Sequence, residues 1–557
     1  MYAAPPFRLQ RHIIPGTLIV FVVFLFYLEL SPPSSTVHPS PSGNTQKDDY
    51  LVEPFFEPHA EGASTKHANT LPKTSPVAND NYRIQIQSSA PGDGITSPEE
   101  PPLPVDSHKG PIEDPSTIHV DVAVPTTLPL PDDYQPPSAQ EDTFCSDRFS
   151  HHFLQNLVTN QTSYCDDGSA SDLTCFHGPI NKYGRRDSFC ISGPATFNND
   201  SKKFAFDCDL RRLNKAEIAQ RIPRFQRFPE YWYETGPHYI FEHFVHLGRE
   251  EKPSLRVENG RRNFSILLKR EGSANLFHCL MEIFSLALTM DVLRMAANPA
   301  TKLPFFSSED FSNTQIVVLD DLPDGPYFDL WSMFAKQPAV RLKDISATHQ
   351  VNLDNVIVPM PGAANPFWLS QWEPLPCEHA ELLQTFVKRV LNFYGIRDDR
   401  RTADTPLVLT FINRTEKRRL IGQERYIARL KAKFPEVEIK SVDFAAIPFK
   451  EQLRLVRRTD ILVGVTGAGM THGLFLPQDS TVAEIVPPDI KYRGFRNFAK
   501  QLGHKYFSSH GTKYATNRTE DDWASDDVFI EEDRFMDLME VAVKSMYNRG
   551  LSNLDAS

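Results

Sequence analysis

The densest stretch of potential chemistry runs from Gly464 to Pro477, GVTGAGMTHGLFLP, with Glu484 at the end of the apolar run that follows. Small residues at Gly467, Ala468 and Gly469 let backbone N–H groups approach a ligand, and Thr471 and His472 open a helical stretch. A helix N-terminus holds phosphate through its free N–H groups and its dipole. The spacing is not the six-residue Gly-x-Gly-x-x-Gly fingerprint, because position 472 is His, and no Lys-Ser/Thr pair makes it a P-loop. A lone Gly-x-Gly reads more readily as a tight strand-to-helix turn around a core histidine. Glu484, placed to accept hydrogen bonds from ribose hydroxyls, tips the reading toward a nucleotide. A second constellation, Asn413 to Arg419 (NRTEKRR), carries Arg414 and Arg418. Guanidinium groups suit bidentate contact with phosphate, although a solvated basic loop is the ordinary fate of such a run. The third is Asn275-Leu276-Phe277-His278, with Glu282 four residues after the histidine. On a helix these two share a face, where an imidazole can accept a proton near neutral pH. In so apolar a helix the spacing alone favours a structural His-Glu pair.

The elements that must position these groups follow from hydrophobic periodicity. Residues 407–412, 436–442, 460–465, 481–486 and 505–508 read as strands. Between them, 423–434, 449–458 and 495–502 have helical spacing, 471–475 is helix-like, and 531–547 reads as a closing helix. Strands alternating with helices at these lengths imply βαβ crossovers and a parallel sheet, a Rossmann-like domain. Its ligands would sit beyond the carboxyl ends of the strands, which brings Arg414 and Arg418 toward the same crevice as the Gly-Ala-Gly turn. Upstream, 274–293, 328–334 and 381–394 read as helical and 315–319 and 355–358 as strands, which fits a second α/β domain.

Composition locates the rest. The 557-residue chain carries 45 Pro and a formal charge of −12. Twenty of the prolines fall within 31–140, and residues 41–142 hold 17 acidic against 5 basic side chains. That segment reads as an extended, disordered, acidic stem. Residues 143–557 are nearly neutral, with 52 basic and 53 acidic side chains, so the acidity belongs to the tether and a nucleic-acid protein is not expected. Residues 13–30, IIPGTLIVFVVFLFYLEL, are long and apolar enough to span a bilayer, and Arg8 and Arg11 precede them. The positive-inside rule then leaves residues 1–12 cytosolic and the remainder lumenal, a type II topology; a cleaved signal peptide is the alternative. Five of seven cysteines (Cys145, Cys165, Cys175, Cys190, Cys208) crowd the start of the folded region, as disulfides in an oxidising lumen would, and the odd total leaves at least one thiol free or paired with another chain. Sequons at Asn160, Asn199, Asn263 and Asn517 agree with that compartment, while Asn413, inside the arginine motif, is expected to stay unmodified. No Cys-x-x-Cys pair exists and no metal site is expected.

Taken together, Arg414-Thr415-Glu416 with Arg418, Gln452-Leu453-Arg454, TDILVGVTGAGMTHGLFLP with Glu484, and NLFH with Glu282 resemble glycosyltransferase family 61, over most of Cys145 to about Ser508. The resemblance implies a GT-B architecture, two Rossmann-like domains facing across a cleft. Residues 143–400 would form the acceptor-side α/β domain with its cysteine-rich start, and 401–557 the nucleotide-sugar-binding domain. It further implies inversion at the anomeric carbon with no obligatory metal or other cofactor. Arg414, Arg418 and the turn Gly467, Ala468, Gly469, Thr471 and His472 are assigned to the diphosphate of a UDP-sugar, Glu484 to its nucleoside, and His278 and Glu282 to the acceptor side. Two departures stand out. Position 466 is Thr where the family's animal members carry His, which bears on the donor sugar, and the Leu554-Asp555-Ala556-Ser557 end differs from a Lys/His-Asp-Glu-Leu retrieval signal, which favours the Golgi over the endoplasmic reticulum.

The expectation is an inverting glycosyltransferase that moves GlcNAc, or next xylose, from a UDP-sugar to a hydroxyl of a secretory-pathway glycoprotein or glycan, with His278 as base and Glu282 orienting it or acting itself. Its partners would be the UDP-sugar, the acceptor and, through the anchor, a membrane. Two rivals are a catalytically inactive GT-B-fold lectin-like or scaffolding protein and a metal-dependent transferase. The latter would use Asp207-Cys208-Asp209 or Asp320-Asp321, though the flanking cysteine points to a structural role for the first.

Overall fold

The computed structural model describes residues 127–134, 142–248, 262–346, 351, 353–397, 405–488, 490–512, 526–548 and 554–556. The chain divides into two compact units, Met1–Asn79 and Asp80–Ser557, and the described residues all belong to the second. The 1–12 tail, the 13–30 anchor, most of the 31–142 stem and Asn517 lie outside the described residues.

The strands, in chain order, are β1 (Gln161–Ser163), β2 (Asp172–Ile180), β3 (Arg186–Gly193), β4 (Ala195–Asn198), β5 (Lys203–Asp207), β6 (Val245–Gly248), β7 (Phe264–Leu268) and β8 (Thr314–Val318). They continue with β9 (Val340–Arg341), β10 (Asn355–Val358), β11 (Val408–Ile412), β12 (Glu438–Val442), β13 (Ile461–Val465), β14 (Thr481–Val486), β15 (Lys505–His510) and β16 (Leu554–Ala556). A seven-stranded sheet has the order β1-β2-β3-β10-β7-β8-β9. Its β10-β7-β8-β9 portion is parallel, and the disulfide-bearing β1–β3 region extends it antiparallel from β10. A six-stranded sheet, β12-β11-β13-β14-β15-β16, is parallel throughout. Strands β4, β5 and β6 make a small third sheet.

The parallel strands β11 (VLTFI), β13 (ILVGV) and β14 (TVAEIV) are buried along their whole length, as strands covered on both faces must be. Helices Gln423–Lys433, Phe449–Val456 and Gly494–Gln501 occupy the crossovers, close to where their periodicity places them. The stretch after the Gly-Ala-Gly turn differs from expectation: it is a 3₁₀ helix, Ala468–Phe475, not the start of an α-helix. Two glycines inside it disfavour the α-helix and Pro477 follows closely, so only a short, tighter coil forms.

Both sheets reverse their strand order once, and the reversals fix where a ligand can enter. In the first, the chain passes from β7 to β8 to β9 and then returns to lay β10 on the other side of β7. In the second, it goes from β11 to β12 and then crosses back to lay β13 on the other side of β11. In open α/β sheets such points, outside the carboxyl ends of the strands, open a crevice for ligands.

The Leu276–Met295 helix carries the interior. It is long and apolar enough to cross a membrane, yet every residue of it except His278 and Arg294 is buried in the protein. One apolar cluster includes Leu280 and Phe284 of this helix together with Leu462, Leu474 and Phe498 from the second sheet's surroundings, so the two sheets share a continuous core. Phe277 lies 6.2 Å from Phe498 and 6.5 Å from Phe495. The His278 end of the helix therefore packs on the Gly494–Gln501 helix that follows β14.

Residues 127–134, which their composition places in the stem, belong to the fold. The Leu128 amide donates to Met295 O, the buried Tyr134 hydroxyl donates to Asp291, and Asp133 pairs with Arg389 at 2.6 Å. Leu130 and the Tyr134 ring pack on the core, and Asp133 adds an ion pair. Three disulfides form: Cys145–Cys377, Cys165–Cys208 and Cys175–Cys190. Cys279 is the free thiol, buried beside His278.

Candidate active site

The first half of the site is built on β11 and β13, on the two sides of the second sheet's reversal. Beyond Ile412 the chain turns through Asn413–Arg419, and Arg418 takes a positive φ of 53°. A long side chain in that region is strained, and such strain is held only where surrounding contacts fix it. Here the contacts draw the guanidinium inward, where Nη1 of the buried Arg418 donates to Thr466 O at 3.0 Å. Arg414 curls over the same loop, its Nε donating to Lys417 O at 2.7 Å. Among the described residues Arg414 makes no ion pair with a carboxylate, and burial lowers its pKa. By contrast the neighbouring Arg419 is spent outward on Asp527 at 2.6 Å.

Both inward guanidinium groups converge on Gly467. A Cβ there would stand 2.7 Å from Arg414 Nη1 and 3.1 Å from Arg418 Nη2, so only glycine leaves room. Two partly desolvated cations therefore meet a backbone turn at a ligand-binding position of the sheet. Such a site favours a planar or tetrahedral anion with several oxygens, which Arg recognises through paired N–H donors.

The rest of the turn is structural support. His472 is buried and stacks on Phe444 with ring centroids 4.1 Å apart. Its Nε2 faces Gln452 Oε1 and its Nδ1 faces Gly469 O, both at 2.7 Å. Gln452 is in turn fixed by donating to Phe444 O and Ile447 O at 2.7 and 2.8 Å. Burial pushes the imidazole down to about 4, against the opposing pull of the Gly469 carbonyl; the neutral ring donates to one of these two oxygens, and its stack on Phe444 helps to pin the turn. Thr471 is also fully buried. Ala468 and Gly469 are half-buried, with Gly469 packed against Ile412. Glu484 is enclosed at 1% exposure, accepting from Thr466 Oγ1 at 2.6 Å and from the Tyr506 hydroxyl at 2.7 Å. Its carboxylate ties β14 to β15 and to the turn after β13.

The second half of the site stands at the reversal of the first sheet. Asn275 caps the Leu276–Met295 helix, its side chain accepting from the Phe277 and His278 amides. This fixes the first turn and sets His278 as the one polar break in the helix's buried N-terminal face. The ring lies edge-on to Trp368 at 4.5 Å and to Tyr233 at 5.0 Å. Its Nδ1 is 3.5 Å from Glu271 Oε2. Glu282, the expected companion of His278, makes no ion pair with it. Its Oε1 is held instead by the Glu271 amide at 2.8 Å. The helix face is shared as expected, but a backbone donor on the β7-to-helix loop captures the carboxylate first. Burial, and after it the charge of Glu271, push Glu282 well above the ordinary carboxylate range.

Glu271 was not picked out by motif. The signal was present, because NFSILL is a strand-like apolar run and Arg270-Glu271 sit just past its carboxyl end. Asp320 of the Asp320-Asp321 pair is occupied by the buried Arg270, which donates to it from Nη2 at 2.7 Å and from its amide at 2.9 Å. In Asp207-Cys208-Asp209 the cysteine is bound to Cys165. Of the sequon asparagines, Asn199 is exposed, whereas Asn160 donates to Asn156 O at 2.7 Å and Asn263 to Asp354 at 2.9 Å.

Sheet topology and site together define a doubly wound α/β protein with an arginine-flanked glycine turn in one half and a histidine–carboxylate cluster in the other. Comparison with known proteins adds a partial match. Residues 276–483 match the family model described as Glycosyltransferase 61. That stretch includes His278, Glu282, Arg414, Arg418 and the Gly467 to His472 turn, and ends one residue before Glu484. Among curated proteins the chain is similar to the EGF domain-specific O-linked N-acetylglucosamine transferase of Drosophila melanogaster, 26% identical over 225 residues, 40% of each chain. It is also similar to the proteins of that name from Bos taurus (25% over 223 residues, 39% of this chain and 40% of the relative) and Xenopus laevis (24% over 220 residues, 39% and 40%). The match spans about two fifths of the length of these relatives.

Proposed function

We propose that the protein is an inverting glycosyltransferase that moves a sugar, GlcNAc first and xylose next, from a UDP-sugar to a hydroxyl of a secretory-pathway glycoprotein or glycan. The observation that carries this reading is the meeting of Arg414 and Arg418 on Gly467, beyond β11 and β13, inside a stretch that matches family 61. In it the two halves act as donor and acceptor sides of a GT-B cleft. The diphosphate of the donor lies on the two guanidinium groups and the turn, with the nucleoside toward Glu484. His278 takes the proton of the acceptor hydroxyl as its oxygen attacks the anomeric carbon. The bond from that carbon to the diphosphate oxygen breaks on the opposite face, and UDP leaves with its new charge on Arg414 and Arg418. The arginines perform the charge neutralisation for which other transferases use a divalent ion, so the reading requires no metal. A Golgi-resident, type II anchored enzyme suits the 13–30 segment and the three disulfides.

Thermal stabilisation of the full chain by a panel of UDP-sugars tests this. A ligand at a hundredfold excess over its Kd adds about 2.7 kcal/mol of stability. The expected result is a rise in Tm with UDP and UDP-GlcNAc that Arg414→Ala abolishes. No shift with any UDP-sugar would sink the donor-site reading, and binding of UDP without turnover of any UDP-sugar would favour an inactive binding protein.

A further inference from the structure

The cluster behind His278 holds two enclosed carboxyl groups, Glu271 and Glu282. The Glu271 side chain is fully enclosed, and Glu282 is 5% exposed. Both border Gly362, where a Cβ would lie 2.9 Å from Glu271 Oε1 and 2.8 Å from Glu282 Cγ. Each spends one oxygen on a backbone amide: Glu271 Oε1 accepts from Ala363 at 3.1 Å and Glu282 Oε1 from Glu271 at 2.8 Å. The remaining oxygens, Glu271 Oε2 and Glu282 Oε2, are buried and among the described residues have no hydrogen-bond donor, apart from the loose 3.5 Å approach of His278 Nδ1 to the first. An enclosed carboxylate oxygen without a donor is costly, and two adjacent ionised carboxylates repel. The groups facing the pair from neighbouring elements do not relieve this. Arg270 is committed to Asp320, and the Cys279 thiol is pushed up by burial and by Glu282, so it stays neutral.

We propose that Glu271 and Glu282 share a single proton, carried by Glu282 and directed at Glu271, and that Glu271, left with the net charge, holds His278 as its Nδ1–H tautomer with Nε2 free to act as base. No covalent step is involved. The proton on Glu282 supplies the donor that Glu271 lacks, and the one negative charge faces the imidazole N–H, so the count of donors, acceptors and charge closes. Glu271 is then a positioning residue, and Glu282 sets its charge without touching the imidazole. This inference deepens the proposed transferase reading and rests on it for the role of His278.

The test uses the full-length protein with Glu271→Gln, Glu282→Gln and His278→Ala, measuring UDP affinity, kcat, KM and the pH dependence of kcat/KM. Glu271→Gln is expected to lower kcat by roughly 10²–10⁴-fold with KM and UDP affinity unchanged. It should also move the acid limb of kcat/KM down by about one pH unit or more, because the imidazolium loses its neighbouring charge. Glu282→Gln keeps a donor toward Glu271 and is expected to stay within about tenfold of the parent. An acid limb that does not move in Glu271→Gln would overturn the pair. Full activity in His278→Ala would instead overturn the assignment of the base, and loss of UDP affinity in the parent would overturn the donor site, so the three failures are distinct. Should Glu271→Gln not fold, the ¹⁵N shifts of the His278 ring in the parent decide: an Nδ1–H tautomer supports the proposal and an Nε2–H tautomer contradicts it.

Discussion

At the scale of single residues, the account turns on how few side chains are left facing the crevices once structural demands are met. Arg419 and Arg270 resemble Arg414 and Arg418 in the sequence, yet Arg419 and Arg270 are committed to acids. Sequence spacing located the arginines because the carboxyl end of an apolar strand is a position any reader can find. The spacing singles out Arg414 and Arg418, but what draws Arg418 inward, its positive φ and the Thr466 carbonyl that receives it, is visible only in the structure. Glu271 escaped notice because its role comes from a loop closing on a helix, not from a periodic pattern. Arg414→Ala and Arg418→Ala should each lower kcat/KM for the UDP-sugar by about 10²–10³-fold, read from initial rates, as loss of a donor to a developing oxyanion does. Gly467→Ala should raise KM for the donor with a smaller change in Tm, because the new methyl meets the guanidinium ends and not the core. Thr466→Val leaves Glu484 Oε1 short of its 2.6 Å donor inside the sheet and should cost about 1–3 kcal/mol in denaturant unfolding.

At the scale of elements, the second sheet was nearly all legible and the first only in part. Strands β11, β13 and β14 are mostly apolar and buried throughout because both faces are covered, and helices at amphipathic spacing separate them, so alternation alone predicts a parallel, Rossmann-like sheet. The antiparallel β1–β3 region was not legible. Cys175 and Cys190 face one another across β2 and β3, but spacing cannot reveal which cysteines pair. The Leu276–Met295 helix shows the limit of periodicity in a different way. Buried on all sides, it has no polar face to mark orientation, and by spacing alone the exception that matters, His278, reads as structural; only the family resemblance points to it as a base. Its cap is therefore a sensitive test. Asn275→Ala should destabilise the protein by about 1 kcal/mol, seen as a lower denaturation midpoint. It should also reduce kcat beyond what that loss explains, because the first turn that aims His278 loses the acceptor for the Phe277 and His278 amides. The Cys145–Cys377 bridge, closing 232 residues, acts on the fold and not on the site. Replacing both cysteines with Ser should cost about 2–5 kcal/mol and leave KM unchanged.

At the scale of the whole molecule, the buried histidines give the protein a definite pH signature. Burial pushes His177 down to about 3, and His472 and His504 to about 4. In the unfolded chain these rings take up protons near the ordinary value of about 6.5, so their contribution to stability is complete above that pH and is lost as pH falls toward 4. Tm should therefore drop across that window. His504→Leu, which removes a buried ring with no hydrogen-bond partner, should flatten the slope with little change at pH 7. An equal slope in the variant would show that other groups control acid sensitivity. The central claim, metal-free inverting transfer from a UDP-sugar, is most directly tested by time-resolved proton NMR of the full-length protein with UDP-α-GlcNAc in the presence of a chelator. The account predicts that UDP is released, that the first sugar product carries the β configuration, and that Arg414→Ala suppresses both. An α-configured first product, or a complete loss of turnover on chelation, would contradict it.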